Sequence, residues 1–577
     1  MSDDTRFGDW KLADLPLFSG LEGSALGAIA ERLEVHWYAA GSDLFCQGEE
    51  ADALYVLLSG ALAILREKPG EPSTWVGQAL AGETVGEMAL LSGKPRSATV
   101  RAQRDSEVLR FKKSDFEALM TVEAAAMLQI ARVAFQRLEA AMAQAPRARF
   151  GRTFALVPAT PETDVRAFGD DLAAALARYG RVGIVRKADG EHMSSAWFHQ
   201  QEQQHDFLLY LAEASAGPWF ELCHRQSDEA LQLVNSKFEP EALARITRKP
   251  DPLKRIRVVL LHGGAVRAGR TQPWRDHFSG ALHCHVRDIE DIRRLARVLT
   301  GHATGLVLSG GGARGFAHLG VVRALREHGL QIDQIGGTSI GAIMGAGVAM
   351  EWSDEELYQR YHRCFVATNP LGHFTIPFIA LVAGRKTTSL MKREFAATQI
   401  EDLPLPFYCV SANLTRGTIN EHHDGPLWRA LRATVAIPGI LPPVFANGEV
   451  LVDGGVINNL PVDVMRRELH GSVIGVDIAG DHAITAGVEE ADLPALWRMA
   501  QDWFRGHRPR PTILQILLRS GMVNSASSAE QNRKNSTLML KPPVEGVELL
   551  DWQAFDRAIN IGYRYTRDLL DSGIELK

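Results

Sequence analysis

The run GLVLSGGG (305–312) ends an apolar stretch in a glycine turn, and a helical pattern, ARGFAHLGVVRALREHG, follows it to a stop at Gly329. A short second strand then leads into GGTSIGA (336–342) and a helix of small residues, AIMGAGVAM. This β-α-β-α order demands a parallel sheet with both glycine turns at one edge, where open α/β sheets bind ligands. Gly337-Thr338-Ser339-Ile340-Gly341 reads as G-x-S-x-G, a sharp strand-to-helix turn that displays its serine. Ser339 is therefore a candidate nucleophile, and a nucleophilic serine needs a base to take its proton.

The first glycine turn admits three readings. Gly310, Gly312 and Gly315 fit G-x-G-x-x-G after a strand and before a helix, with Asp333 about 20 residues on, the spacing of a dinucleotide site. The turn could equally serve strand–helix packing alone. In the third reading, successive backbone N–H groups at a helix start form an oxyanion hole. The serine elbow on the next strand favours the third, because acyl transfer needs both parts and a dinucleotide site has no use for the serine. A P-loop is excluded, since no Gly-Lys-Ser/Thr follows.

The base is less legible. An ordinary α/β-hydrolase supplies Asp and then His downstream, and His470, His482 and His507 are available. The segment GEVLVDGGVINNLPVDV (448–464) instead brings Asp453 to a strand end before Gly454 and Gly455, where a carboxylate could approach another loop. Asp-Gly is also a common turn pair, and spacing alone does not separate the two readings.

With 577 residues the chain has length for three or four domains. Residues 13–120 carry short apolar runs, Leu54-Tyr55-Val56-Leu57-Leu58 and Ala61-Leu62-Ala63-Ile64, between Gly41, Gly48, Gly60 and Gly82, as in a small barrel or jelly roll. A helical pattern over 124–144 closes this region before Pro146. From 150 to 300 strand-like runs (153–159, 181–187, 206–213, 255–264) alternate with helical ones such as 170–179, which implies an α/β layer. His283-Cys284-His285 puts two imidazoles on one strand face, too few ligands for a convincing metal site. The expected fold class is multidomain: an all-β barrel over 1–145, a middle α/β domain over 146–300 and an α/β hydrolase domain over 301–577.

A net charge of −6 with dispersed Lys and Arg offers no basic field for nucleic acid. Five scattered cysteines fit a reducing compartment. The polar start MSDDTRFGDWKL is no secretory signal, and no apolar run reaches transmembrane length. A cytoplasmic protein, with peripheral membrane contact at most, is expected.

The ordered set SGGGARG, GTSIG and DGG, with RATVAIPGILPPV (432–444) ahead of the last, resembles the patatin-like phospholipases. That resemblance implies a Ser–Asp dyad with Ser339 as nucleophile and Asp453 as base. It implies an oxyanion hole from Gly310, Gly311 and Gly312 with Arg314 beside it, and neither metal nor cofactor in catalysis. Ser309 stands where many plant patatins have Asp. VGEMALLSGKPRSATV (85–100) resembles the phosphate-binding cassette of cyclic-nucleotide-binding domains. By that likeness the site comprises Gly86, Glu87, Arg96 and Ser97: Glu87 holds the ribose 2′-hydroxyl, while Arg96 and Ser97 hold the cyclic phosphate of cAMP or cGMP as an effector.

Sensor, middle region and hydrolase together are similar to the neuropathy target esterase family, whose look extends to Trp219 and to the lead-in RRLARVLTGHATGLVLSGGGARG (293–315). The chain has one sensor where the animal enzymes hold several, and no counterpart of their transmembrane segment, so stable anchoring is not expected. The implied activity is that of a lysophospholipase or phospholipase B, acting on glycerophospholipids or lysophospholipids at a membrane surface. FTIPFIALVAGRK (374–386), ten apolar residues before Arg385 and Lys386, is either an interfacial segment or a buried core helix. Two rival accounts stand beside this one: a Ser-His-Asp carboxylesterase for small esters, and an inert cyclic-nucleotide-responsive binding protein. Helix 124–144 is a candidate surface for oligomer formation.

Overall fold

The computed structural model describes residues 6–7, 10–18, 23–68, 73–122, 153–214, 217–240, 255–278, 281–372, 375, 379–479 and 530–573. The chain divides into two compact units, 1–263 with 273–300, and 264–272 with 301–577. The helical pattern at 124–144 lies outside the described residues.

The first unit opens with a β-sandwich. Its strands are β1 (Glu34–Tyr38), β2 (Asp43–Phe45), β3 (Ala53–Ser59), β4 (Ala61–Arg66), β5 (Thr74–Leu80), β6 (Thr84–Val85), β7 (Thr99–Ala102) and β8 (Ser106–Lys112). They pair antiparallel in two four-stranded sheets, ordered β1-β8-β3-β6 and β2-β7-β4-β5. Gly60 joins β3 to β4 at φ 94°, and a Cβ there would fall 2.3 Å from Ser106 Oγ, so only glycine makes this corner.

The same unit continues into six parallel strands: β9 (Thr153–Pro158), β10 (Val182–Val185), β11 (Phe207–Leu211), β12 (Glu229–Asn235), β13 (Arg255–Leu261) and β14 (Leu282–Val286). Their order is β10-β11-β9-β12-β13-β14. One face packs Phe154, Leu156 and Leu231 on Phe168 and Leu172 of the helix Val165–Leu176, and the other packs Ala155 and Tyr210 on Phe198 and Trp219. Burial on both faces explains why these strands read as continuous apolar runs. His285 on β14 hydrogen-bonds His262 (Nδ1 to Nε2, 2.9 Å), so the expected His283/His285 pair is drawn into a histidine contact across the sheet.

The second unit is built on a mixed sheet of eight strands. They are β15 (Ala303–Leu308), β16 (Gln334–Thr338), β17 (Phe407–Asn413), β18 (Thr418–His422), β19 (Val444–Ala446), β20 (Glu449–Asp453), β21 (Gly471–Val476) and β22 (Leu538–Leu540). The order is β19-β20-β17-β16-β15-β21-β22, with β18 on β17. The strands from β17 through β22 of that row run parallel, while β18, β19 and β20 pair antiparallel. Around the sheet lie α1 (Ala317–Glu327), α2 (Ile340–Ala349), α3 (Asp354–Tyr361), α4 (Arg385–Phe395), α5 (Leu427–Thr434) and α6 (Phe555–Asp571). Helices α1 and α6 approach closely: a Cβ on Gly320 would meet Ile559 O at 2.0 Å, and one on Gly562 would meet Ala317 O at 2.1 Å. Within 374–386, the described residues 379–384 are not helical, Ile379 is 65% exposed, and α4 begins only at Arg385.

Candidate active site

Ser339 stands between β16 and α2 at φ 53° and ψ −125°, a conformation non-glycine residues rarely adopt and which costs roughly 1–3 kcal/mol. Its flanking glycines make the elbow sterically feasible, since a Cβ on Gly341 would sit 2.3 Å from Leu308 O and one on Gly337 2.8 Å from the same atom. The strained residue is tied down. Its N–H donates to Thr434 Oγ1 (2.9 Å), and that hydroxyl donates to Val410 O (2.6 Å).

Asp453 ends β20 and meets the serine. Ser339 Oγ donates to Asp453 Oδ2 at 2.6 Å, and the N–H of Gly455 donates to Oδ1 at 2.8 Å. Gly454 permits this approach, because a Cβ there would lie 2.3 Å from Val410 O. Both side chains are nearly shut off from solvent, Ser339 at 8% and Asp453 at 6% exposure. Burial pushes the Asp453 carboxyl up to about 6, against the opposing pull of its two hydrogen bonds.

The glycine turn lies beside them, and its N–H groups are not equivalent. Gly310 donates to Asn459 O (3.2 Å) and Ala313 to Leu549 O (2.8 Å). Of the three expected oxyanion donors, the Gly310 N–H is therefore already engaged. Arg314, expected beside the hole, is held by the backbone. Its guanidinium donates to Val547 O (2.8 Å) and Ala479 O (3.0 Å), bracing two backbone segments.

A cavity opens at Ser339. Gly312, Ser339 and Ile340 line it, with Ile343 from α2, Leu390, Met391 and Phe395 from α4, and Val435 and Leu441 beyond α5. Helix α2 itself is closely packed, with every one of its residues buried. The void forms instead beside α2, where a π-helical turn at His362–Ala367 carries Cys364 and Phe365 into its wall. No histidine is among the lining residues. His470 stands just before β21, and His482 and His507 lie outside the described residues.

Comparison with known proteins finds three matching family models along the chain. A family model for patatin-like phospholipase matches residues 306–466. A cyclic nucleotide-binding domain model matches 35–123, and a neuropathy target esterase family P-loop like domain model matches 151–293. The chain thus carries a cyclic nucleotide-binding domain, a neuropathy target esterase family P-loop like domain and a patatin-like phospholipase domain in that order.

Among its relatives, lysophospholipase nte1 of Aspergillus niger is 28% identical over 92% of this chain and 41% of its own length. Patatin-like phospholipase domain-containing protein 6 of Pongo abelii is 29% identical over 92% of this chain and 44% of its own. An uncharacterized NTE family protein of Mycobacterium tuberculosis is 29% identical over 98% of this chain and 97% of its own. The chain thus spans less than half the length of the fungal and animal relatives. Among solved structures, the Thermus thermophilus catabolite activator protein is 26% identical over 28% of this chain and 70% of its own, with a TM-score of 0.21.

In the cyclic nucleotide-binding domain, Gly86 (φ 93°) starts the helix Glu87–Ser92, Glu87 is buried and Ser97 is exposed. Arg96 is turned inward. It donates to Ala53 O (2.6 Å), Gly86 O (3.2 Å) and Asp52 Oδ1 (3.0 Å), and stacks over Phe45 at 4.0 Å. A phosphate reaching this arginine would compete with Asp52 for it.

In the patatin domain, sequence reasoning missed Thr434 and Asn459, the residues that hold the elbow and the glycine turn. Their signals were weak, a threonine inside the RATVAIPG segment and a second asparagine after DGG.

Proposed function

We propose that this chain is a serine lipid acyl hydrolase of lysophospholipase or phospholipase B type, releasing a fatty acid from a glycerophospholipid or lysophospholipid. The 2.6 Å hydrogen bond from Ser339 Oγ to Asp453, at the mouth of an apolar cavity, carries the reading. Ser339 Oγ attacks the acyl carbonyl carbon while its proton passes to Asp453. The N–H groups of Gly311 and Gly312 face the oxygen that becomes negative. Collapse of the tetrahedral adduct returns the proton to the departing glycerol oxygen and leaves the acyl group on the serine. Water, giving its proton to Asp453, then releases the fatty acid, and the proton goes back to Ser339 Oγ. Burial that raises the carboxyl makes it a better base than an exposed aspartate. No metal or cofactor enters these steps.

The domain limits proposed are 1–145, 146–300 and 301–577, with cAMP or cGMP as effector of the first and transient membrane contact by the last. The deciding experiment is fatty-acid release from lysophosphatidylcholine micelles by wild type, Ser339→Ala and Asp453→Asn. Loss in both variants supports the dyad. Activity surviving in Asp453→Asn would overturn it and return the base to His470, His482 or His507, each then substituted singly. A folded wild type that releases nothing would favour the inert binding protein.

A further inference from the structure

Six residues beyond Asp453, Asn459 lies across the glycine turn, 5% exposed. It engages both polar groups of one residue: its carbonyl oxygen accepts from Gly310 N–H, and its side-chain Nδ2 donates to Gly310 O, each at 3.2 Å. Its remaining side-chain atom, Oδ1, is buried without a hydrogen-bond partner among the described residues. That atom occupies the space a side chain at 310 would need, since a Cβ on Gly310 would fall 2.5 Å from Asn459 Oδ1 and 3.1 Å from Ser339 Cβ. The amide is therefore packed over the Cα of Gly310, next to the nucleophile.

An acceptor buried without a donor is a net cost to folding, so stability alone is a poor reason for an asparagine here. The turn itself supplies a better one. Three consecutive glycines have no side chains to fix their dihedral angles, and rotation of the 310 peptide would swing the N–H groups of Gly311 and Gly312 away from the serine. The Ser309–Gly310 peptide, whose N–H meets Asn459 O, is also held at its carbonyl end. His318 Nε2 bonds Ser309 O (2.9 Å), and Ile478 N–H donates to Ser309 Oγ (3.0 Å). Gly310 is left to Asn459. The same short loop also fixes the strand that delivers the serine, as Thr338 Oγ1 donates to Asn458 O at 2.9 Å.

We propose that Asn459 is a positioning residue for hydrolysis, clamping Gly310 so that the Gly311 and Gly312 N–H groups point at the reacting carbonyl oxygen. This rests on the reading of Ser339 as nucleophile. Donors aimed at a charge that develops in the transition state raise kcat more than they tighten substrate binding.

The test uses the full chain and three readouts: kcat and KM on lysophosphatidylcholine, affinity for an alkyl trifluoromethyl ketone that forms a tetrahedral adduct with serine, and affinity for the matching saturated alcohol. For Asn459→Ala the expected result is a fall in kcat of about 10- to 100-fold. Ketone affinity should fall in parallel, while KM and alcohol affinity stay within about twofold. Should Asn459→Ala not fold, Asn459→Asp, of equal size but lacking the Nδ2 donor, is judged by the same criteria. An unchanged kcat, or ketone and alcohol affinities lost together, overturns the proposal. Ser339→Ala separates the two levels. If it still hydrolyses lipid, or if wild type does not bind the ketone, the nucleophile reading fails. If those controls hold and the Asn459 variants behave as wild type, only the clamp fails.

Discussion

A carboxylate exposed to water is a poor base for a serine hydroxyl, and Asp453 differs from that state mainly by burial. Because the base must be ionised to accept a proton, kcat/KM should fall as pH drops through about 6, and a pH–rate profile on a soluble ester checks this. Flat activity from pH 5 to 8 would exclude Asp453 as the titrating group. Stability moves the opposite way. The folded carboxyl titrates above its ordinary value of 3.8, so the stabilisation it contributes is full below that pH and is lost as pH rises through about 6. The loss is on the order of 2–3 kcal/mol. Asp453→Asn removes this dependence, so its Tm should exceed that of wild type more at pH 7 than at pH 4 in parallel thermal melts.

The serine elbow is an element held in a costly backbone conformation by a contact from far along the chain. Thr434, at the end of α5, accepts the Ser339 N–H and donates to β17. Thr434→Val keeps the shape and removes both bonds, so it should destabilise by about 1–3 kcal/mol and depress kcat, with Thr434→Ser recovering most of each. Melting and turnover measured on the same samples would reveal a discrepancy. The glycines of this site were legible in the sequence because each has a steric necessity behind it: Gly341 faces Leu308 O, and Gly454 faces Val410 O. Thr434 and Asn459 were not, since a hydrogen bond across 95 or 149 positions leaves no local pattern. Strand β12 (EALQLVN) was also unread, its Glu, Ala, Leu and Gln being good helix formers overruled by the parallel sheet on either side. The cavity was unreadable for another reason. Leu390, Met391, Glu394 and Phe395 make the same helical stripe whether they face a neighbour or a void.

The whole chain comprises two compact units, one holding the sandwich with the parallel sheet and the other the hydrolase. Calorimetry should resolve two transitions, the upper or lower one shifting with a serine-directed ketone and the other with cyclic nucleotide. The nucleotide shift should vanish in Arg96→Ala. Within the first unit the sandwich is fastened to the sheet domain by buried charge. Arg104 pairs with Glu202 and stands 3.6 Å from Asp228, while Arg225 pairs with Asp105 at 3.0 Å. Arg104→Met removes the buried cation between Glu202 and Asp228 and should destabilise that unit by about 3–5 kcal/mol in the same scan, leaving the other transition in place. In the hydrolase unit the glycine turn is closed by Leu549 O, and the helix that follows the turn seats against Gly562 of α6. Ser339, Asp453 and Asn459 all leave the ribosome before either of those anchors is made. Under the proposed dyad, a nascent chain that already carries Ser339 and Asp453 still lacks the backbone that closes the turn, so on that reading hydrolysis waits for α6 to emerge and dock.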